Sequence, residues 1–124
     1  MADGFAAAGY FVCLPDLFNN DPAPLDAFSG DSNFDIGRWF QVHGPETVQP
    51  VVKKMKSSLL DEFGVKKLGA VGYCFGAKYV VEGLAEGGYI DAGFIAHPSA
   101  IERDELRAVK KPLSIAAAGK LPYI

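Results

Sequence analysis

A chain of 124 residues, 49% hydrophobic and 22% charged, reads as one soluble globular domain spanning 1–124, with none of the composition of a disordered or fibrous protein. The net charge of −3, with Lys and Arg in short pairs (Lys53-Lys54, Lys66-Lys67, Lys110-Lys111) and on no single basic face, argues against a nucleic-acid partner. No apolar run approaches the roughly 20 residues of a membrane span, the start carries Asp3 without a basic residue, and two cysteines are too few for a disulfide scaffold, so a cytoplasmic protein with free thiols is expected.

Short β-branched or aromatic runs alternate with longer stretches of helical period, the pattern of an α/β fold whose parallel sheet carries helices on both faces. Residues 1–8 are Ala-rich and stop at Gly9, which predicts the last turns of a helix that began upstream. Residues 10–14 (YFVCL), halted by Pro15, predict a buried strand in which Cys13 is a small core residue. From 16 to 43 no period is visible, Pro22 and Pro24 interrupt the chain, and Phe18, Phe28, Phe34, Trp39 and Phe40 are spread along it. A loop of that length with those aromatics is expected to act as a lid over a site.

Val48, Val51, Val52, Met55, Leu59 and Phe63 recur at helical spacing and predict a helix over 47–63, closed by Gly64, with Pro50 as an alternative first residue. Residues 67–72 (KLGAVG) predict the next strand and 75–86 the helix that follows it. A strand over 91–96, a brief helix over 102–108 and a strand over 112–118 complete a set of about four strands.

Between the 67–72 strand and its helix lies Gly72-Tyr73-Cys74-Phe75-Gly76. Gly-x-nucleophile-x-Gly at a strand-to-helix turn is a nucleophile elbow: the turn is so tight that a Cβ at either glycine is expected to collide with neighbouring chain, and the middle residue stands exposed. Cys74 in that position projects at the carboxyl end of the sheet, where a helix start favours the thiolate. The backbone N–H of Phe75 is then one donor of an oxyanion hole. The competing reading of Cys74 is a small buried hydrophobe beside two incidental glycines. Gly69, Gly72 and Gly76 do not have dinucleotide-binding spacing, and Ala77-Lys78 after Gly76 breaks a phosphate-loop pattern, so neither a cofactor nor a metal site is expected.

The stretches FAAAGYFVCLPDLF, LGAVGYCFGAKY, FIAHPS and KPLSIAAA together resemble the dienelactone hydrolase family, with Ala77 standing where a glycine is usual. The resemblance implies a partial α/β-hydrolase fold, a Cys–Asp–His triad, and a small-molecule ester or lactone as substrate. Cys74 matches the nucleophile and Phe75 the oxyanion donor. The family's acid falls on the loop after KPLSIAAA, where residues 119–124 (GKLPYI) hold no carboxylate side chain, and its histidine falls after one further strand. The resemblance also implies a strand between YFVCL and the elbow strand. The chain therefore reads as truncated at both ends, impaired in activity and low in stability.

The two histidines, His43 and His97, lie upstream of the family's catalytic histidine. His97 follows a strand at the carboxyl edge and reads as a positioned structural residue, and His43 as one that helps start a helix. Arg38 has the fork that matches a substrate carboxylate, beside the plainer reading of a solvated loop arginine. Two other functional readings stand: a non-catalytic fragment or interaction module, and a cysteine amidotransferase-like domain, against which Lys78 argues because those domains carry glutamine there.

Overall fold

In the computed structural model, which describes residues 1–117, Gly9 and Gly64 adopt φ of 92° and 62°, the left-handed conformation that ends helices and that glycine reaches without a Cβ penalty. They close the first and third helical segments, as expected. The chain divides into two units, Met1–Ser58 and Leu59–Ile124.

The first unit contains α1 (Ala2–Ala7), α2 (Ile36–Val42) and α3 (Pro45–Ser57). Residues 10–14 do not form the expected strand: they lie outside the sheet, with Tyr10, Phe11 and Leu14 exposed. An apolar run becomes a strand only when neighbouring strands take up its backbone hydrogen bonds, and composition alone does not supply them. Cys13 is consequently exposed and is not a core residue.

Helix α2 corrects the expectation of an unbroken loop over 16–43. Asp35 caps it by accepting the Arg38 N–H at 2.9 Å, and seven residues are too few for a period to show in the sequence. Trp39, on its buried face, donates from Nε1 to the Asp21 carbonyl at 3.0 Å, and His43 Nε2 lies 2.9 Å from Asp21 Oδ2. Phe18 packs edge-on against both rings, at centroid distances of 4.6 Å to Trp39 and 5.5 Å to His43. The segment thus spends Phe18 and Trp39 on an aromatic cluster of its own. His43 follows α2 as its C-cap, while Gly44 caps α3 and Pro45 occupies the first turn, where its missing N–H costs nothing. Pro50 is accommodated inside α3. A π turn, Ser58–Glu62, continues the chain into the second unit.

There, three parallel strands, β1 (Gly69–Tyr73), β2 (Ala92–Ala96) and β3 (Leu113–Ala116), pair in the order β1-β2-β3. Of the expected strands these three are present, and Ala118, the last residue of the predicted 112–118 strand, lies outside the described residues. A 3-10 turn (Cys74–Gly76) leads from β1 into α4 (Ala77–Gly83), and α5 (Arg103–Arg107) precedes β3. Ala77, Val80, Val81 and Leu84 pack with Ile90 and Ile95 to form the core, flanked by Ala70, Leu106, Val109 and Leu113. Register puts Ala70, Gly72, Gly93, Ile95 and Leu113 on this covered face, whereas Val71 and Tyr73 point the other way and are exposed. Among the described residues no helix is long and apolar enough to cross a membrane.

The register of β1 on β2 is pinned where both strands begin. Asp91 donates its N–H to the Leu68 carbonyl at 2.7 Å and accepts the Leu68 N–H on Oδ2 at 2.9 Å, with Lys111 Nζ 3.9 Å from the other oxygen. The Leu68 N–H holds the Asp91 carboxyl below its usual range; desolvation opposes this, and Lys67 and Lys111 add to it. At Glu105 burial pushes the carboxyl up, but the Glu102 N–H and the Lys78 ammonium outweigh it and hold it low. A carboxylate lowered by folding stabilises the native state above its unfolded value, and that contribution is lost as pH falls through the folded value. The urea midpoint of the full chain is therefore expected to fall as pH drops from about 5 to about 3. Asp91→Asn should start lower at the upper pH and lose less, as followed by urea titrations at several pH values.

Candidate active site

The elbow forms because β1 and α4 approach each other too closely to leave room for a side chain at Gly72. A Cβ built there would lie 2.8 Å from Ala77 Cα, from the Gly76 carbonyl oxygen and from Val80 Cγ2. The strand therefore ends against the helix that follows it, and the chain has one residue in which to reverse. That residue is Cys74, at φ 46°, a left-handed conformation that costs a non-glycine residue on the order of 1–2 kcal/mol. The strain turns the side chain outward: Cys74 is an exposed, free thiol. This excludes the reading of Cys74 as a small buried hydrophobe.

Only one of the two flanking glycines is required by crowding. Gly76 sits at an ordinary helical φ of −68°, and a Cβ there would meet nothing within 4 Å, contrary to the expectation from the motif. Phe75 supplies the next N–H after the sulfur-bearing residue, and its ring packs on Tyr79 at a centroid distance of 5.7 Å. Tyr79 is itself buried, and burial, with a smaller contribution from Glu82, pushes its hydroxyl up.

The Cys74 carbonyl accepts two hydrogen bonds, one from the Ala77 N–H in the 3-10 turn and one from the Ser99 N–H at 3.3 Å. Ser99 also reaches the sulfur, with Sγ to Oγ 3.6 Å. His97, read as a positioned structural residue at the carboxyl edge, lies against Tyr73 with ring centroids 6.0 Å apart, and its N–H extends the β2–β3 ladder to the Ala116 carbonyl at 2.9 Å. Ser99 was not legible as a site residue. The signal that pointed to it is positional: it lies three residues past the end of β2, the strand beside the elbow strand. His43 pairs with Asp21 within the first unit, and Arg38 is an exposed residue of α2. Residues 119–124, where the family's acid falls, lie outside the described residues.

A strained, exposed cysteine between a parallel strand and a helix is the arrangement of a hydrolase elbow, and the family model described as the Dienelactone hydrolase family matches residues 1–124. The chain belongs to the dienelactone hydrolase family. It is similar to Hydrolase tropI of Talaromyces stipitatus, 47% identical over 97% of this chain and 49% of that protein. It is similar also to Hydrolase pyvD of Aspergillus violaceofuscus, at 45% over 97% of this chain and 47% of that protein. Dienlactone hydrolase 1 of Gibberella moniliformis is 35% identical over 98% of this chain and 49% of its own length. The chain thus spans about half the length of the curated relatives it matches. No solved structure matches it.

The two glycines separate in a mutational test. Gly72→Ala forces a Cβ into backbone atoms and is expected to destabilise the fold by about 1–3 kcal/mol, whereas Gly76→Ala, with open space and a helical φ, should be neutral or slightly stabilising. Urea unfolding of the two variants against the parent measures the difference.

Proposed function

We propose that the protein is a dienelactone hydrolase-type enzyme that opens an ester or lactone through Cys74, acting on a small molecule and needing no cofactor. One observation carries the proposal: in a chain of this family, Cys74 is held at φ 46° with its thiol exposed at the end of β1. The Cys74 thiolate attacks the carbonyl carbon, the π electrons move to oxygen, and the Phe75 N–H donates to the oxyanion. Collapse of that tetrahedral species re-forms the carbonyl and breaks the ester or lactone C–O bond, so that the departing alkoxide takes a proton from solvent and a thioester is left on Cys74. Attack by water on the thioester releases the carboxylic acid and restores the thiol.

The printed names of the relatives, hydrolases and a dienlactone hydrolase, support the substrate class. The whole match, 1–124, supports treating both units as parts of one family domain. Two exposed free thiols support the reading of a protein of a reducing compartment such as the cytoplasm. Among the described residues, the side chain hydrogen-bonded to the Cys74 sulfur is Ser99, and no acid or base is assigned to it. Because triad members act as a unit, we infer that turnover by these residues alone is slower by several powers of ten than in a complete triad, with deacylation the slow half.

Slow deacylation makes the covalent intermediate the natural readout. After brief incubation with p-nitrophenyl acetate and an acid quench, peptide mapping is expected to find the acetyl group on Cys74 at least about tenfold more often than on Cys13, and Cys74→Ala should remove it. Equal acetylation of the two exposed thiols, or none on Cys74, would overturn the proposal.

A further inference from the structure

The turn that carries Ser99 is itself strained. His97 and Ala100 adopt φ of 36° and 55°, both left-handed, with Pro98 and Ser99 between them. Two non-glycine residues held in that region within four positions mark a segment whose shape is fixed by its surroundings, and such strain clusters at functional sites. The surroundings are identifiable. The His97 N–H is tied to β3, Ile101 packs on the core, and Lys78 of α4 reaches across to the Ala100 carbonyl at 3.4 Å while pairing with Glu105 and, at 3.7 Å, with Glu82. These ties hold 97–101 over the elbow, with the Ser99 N–H on the Cys74 carbonyl and the Ser99 hydroxyl on the Cys74 sulfur.

Resting on the reading of Cys74 as the nucleophile, we propose that Ser99 is a further catalytic residue, whose hydroxyl donates a hydrogen bond to the Cys74 thiolate and raises the fraction of the sulfur that is ready to attack. A hydroxyl both donates and accepts. In the protonated site the thiol S–H points to Ser99 Oγ. When the thiol proton passes to solvent, the hydroxyl hydrogen rotates to face the sulfur, and no heavy atom needs to move. A hydrogen bond to an ionised partner is roughly twice as strong as one between neutral groups, so the contact favours the charged form. The Lys78–Glu105 pair acts at one remove, by fixing the turn, and is a positioning element.

The test measures iodoacetamide labelling of Cys74 across pH in a Cys13→Ser background, for the parent, Ser99→Ala, Ser99→Gly and Ser99→Thr. Ser99→Ala and Ser99→Gly both delete the hydroxyl and keep the backbone N–H. Each is expected to move the rate profile to higher pH and to slow labelling at neutral pH about fivefold, with the limiting rate at high pH retained. Ser99→Thr keeps the hydroxyl and should follow the parent. A structural role alone would change the urea midpoint without moving the profile. Profiles of Ser99→Ala and Ser99→Gly that superimpose on the parent would overturn the inference. If Cys74 is acetylated by the ester while these profiles do not move, the Ser99 inference fails alone. If the profiles move but no acetyl group is found on Cys74, the hydrolase reading fails alone.

Discussion

The contact between β1 and α4 at Gly72 governs the rest of the second unit. With hydrogen in place of a side chain, the strand can end 2.8 Å, measured from an absent Cβ, from the Ala77 Cα, the Gly76 carbonyl and Val80. That approach lets Val80, Val81 and Leu84 bury against Ile90 and Ile95, so the core and the elbow are products of one packing decision. The burial offsets the left-handed backbone at Cys74, a residue that in isolation would avoid it. Exposure of the thiol then follows from backbone geometry, because the reversed turn leaves it no direction into the core.

Around that turn, the polar contacts converge on a single task. Asp91 and Leu68 fix the register of β1 and β2 at their starts, which sets where the strands end and so where 97–101 begins. Lys78, on the helix that begins at the elbow, ties the far side of the turn through Ala100 and Glu105. The sulfur is thereby given a defined neighbour, Ser99. These ion pairs are partly exposed, and such pairs add little to stability singly; their contribution here is geometric.

The sequence was legible where local chemistry decides structure and illegible where distant partners do. Gly9, Gly64 and the helix stripe of Val48 and Val52 each specify their own backbone, and each is found as read; of the elbow motif, the turn at Cys74 and the crowding at Gly72 are found, and the crowding at Gly76 is not. YFVCL has the composition of a buried strand but lies outside the sheet, which leaves Cys13 exposed; a strand is a property of a pair, and its partner is not written in its residues. Helix α2 went unread because its one buried residue, Trp39, makes no period, and its polar ties run to Asp21, 18 residues earlier. The equal roles expected for Gly72 and Gly76 were a motif-level inference that packing resolves in favour of Gly72 alone. Ser99 came from a turn shaped by contacts with two other elements, which no local pattern encodes.

The two cysteines provide an internal comparison, since both are exposed and free but only Cys74 sits at a strained elbow with a hydroxyl beside it. Competitive alkylation of the full chain by a limiting dose of iodoacetamide, read by peptide mass, compares them within one molecule. Native protein should label Cys74 about tenfold faster than Cys13, and the ratio should fall to about one in concentrated urea. A ratio that is the same in buffer and in urea would mean that the fold does nothing for the sulfur, and would contradict the elbow as the origin of its chemistry.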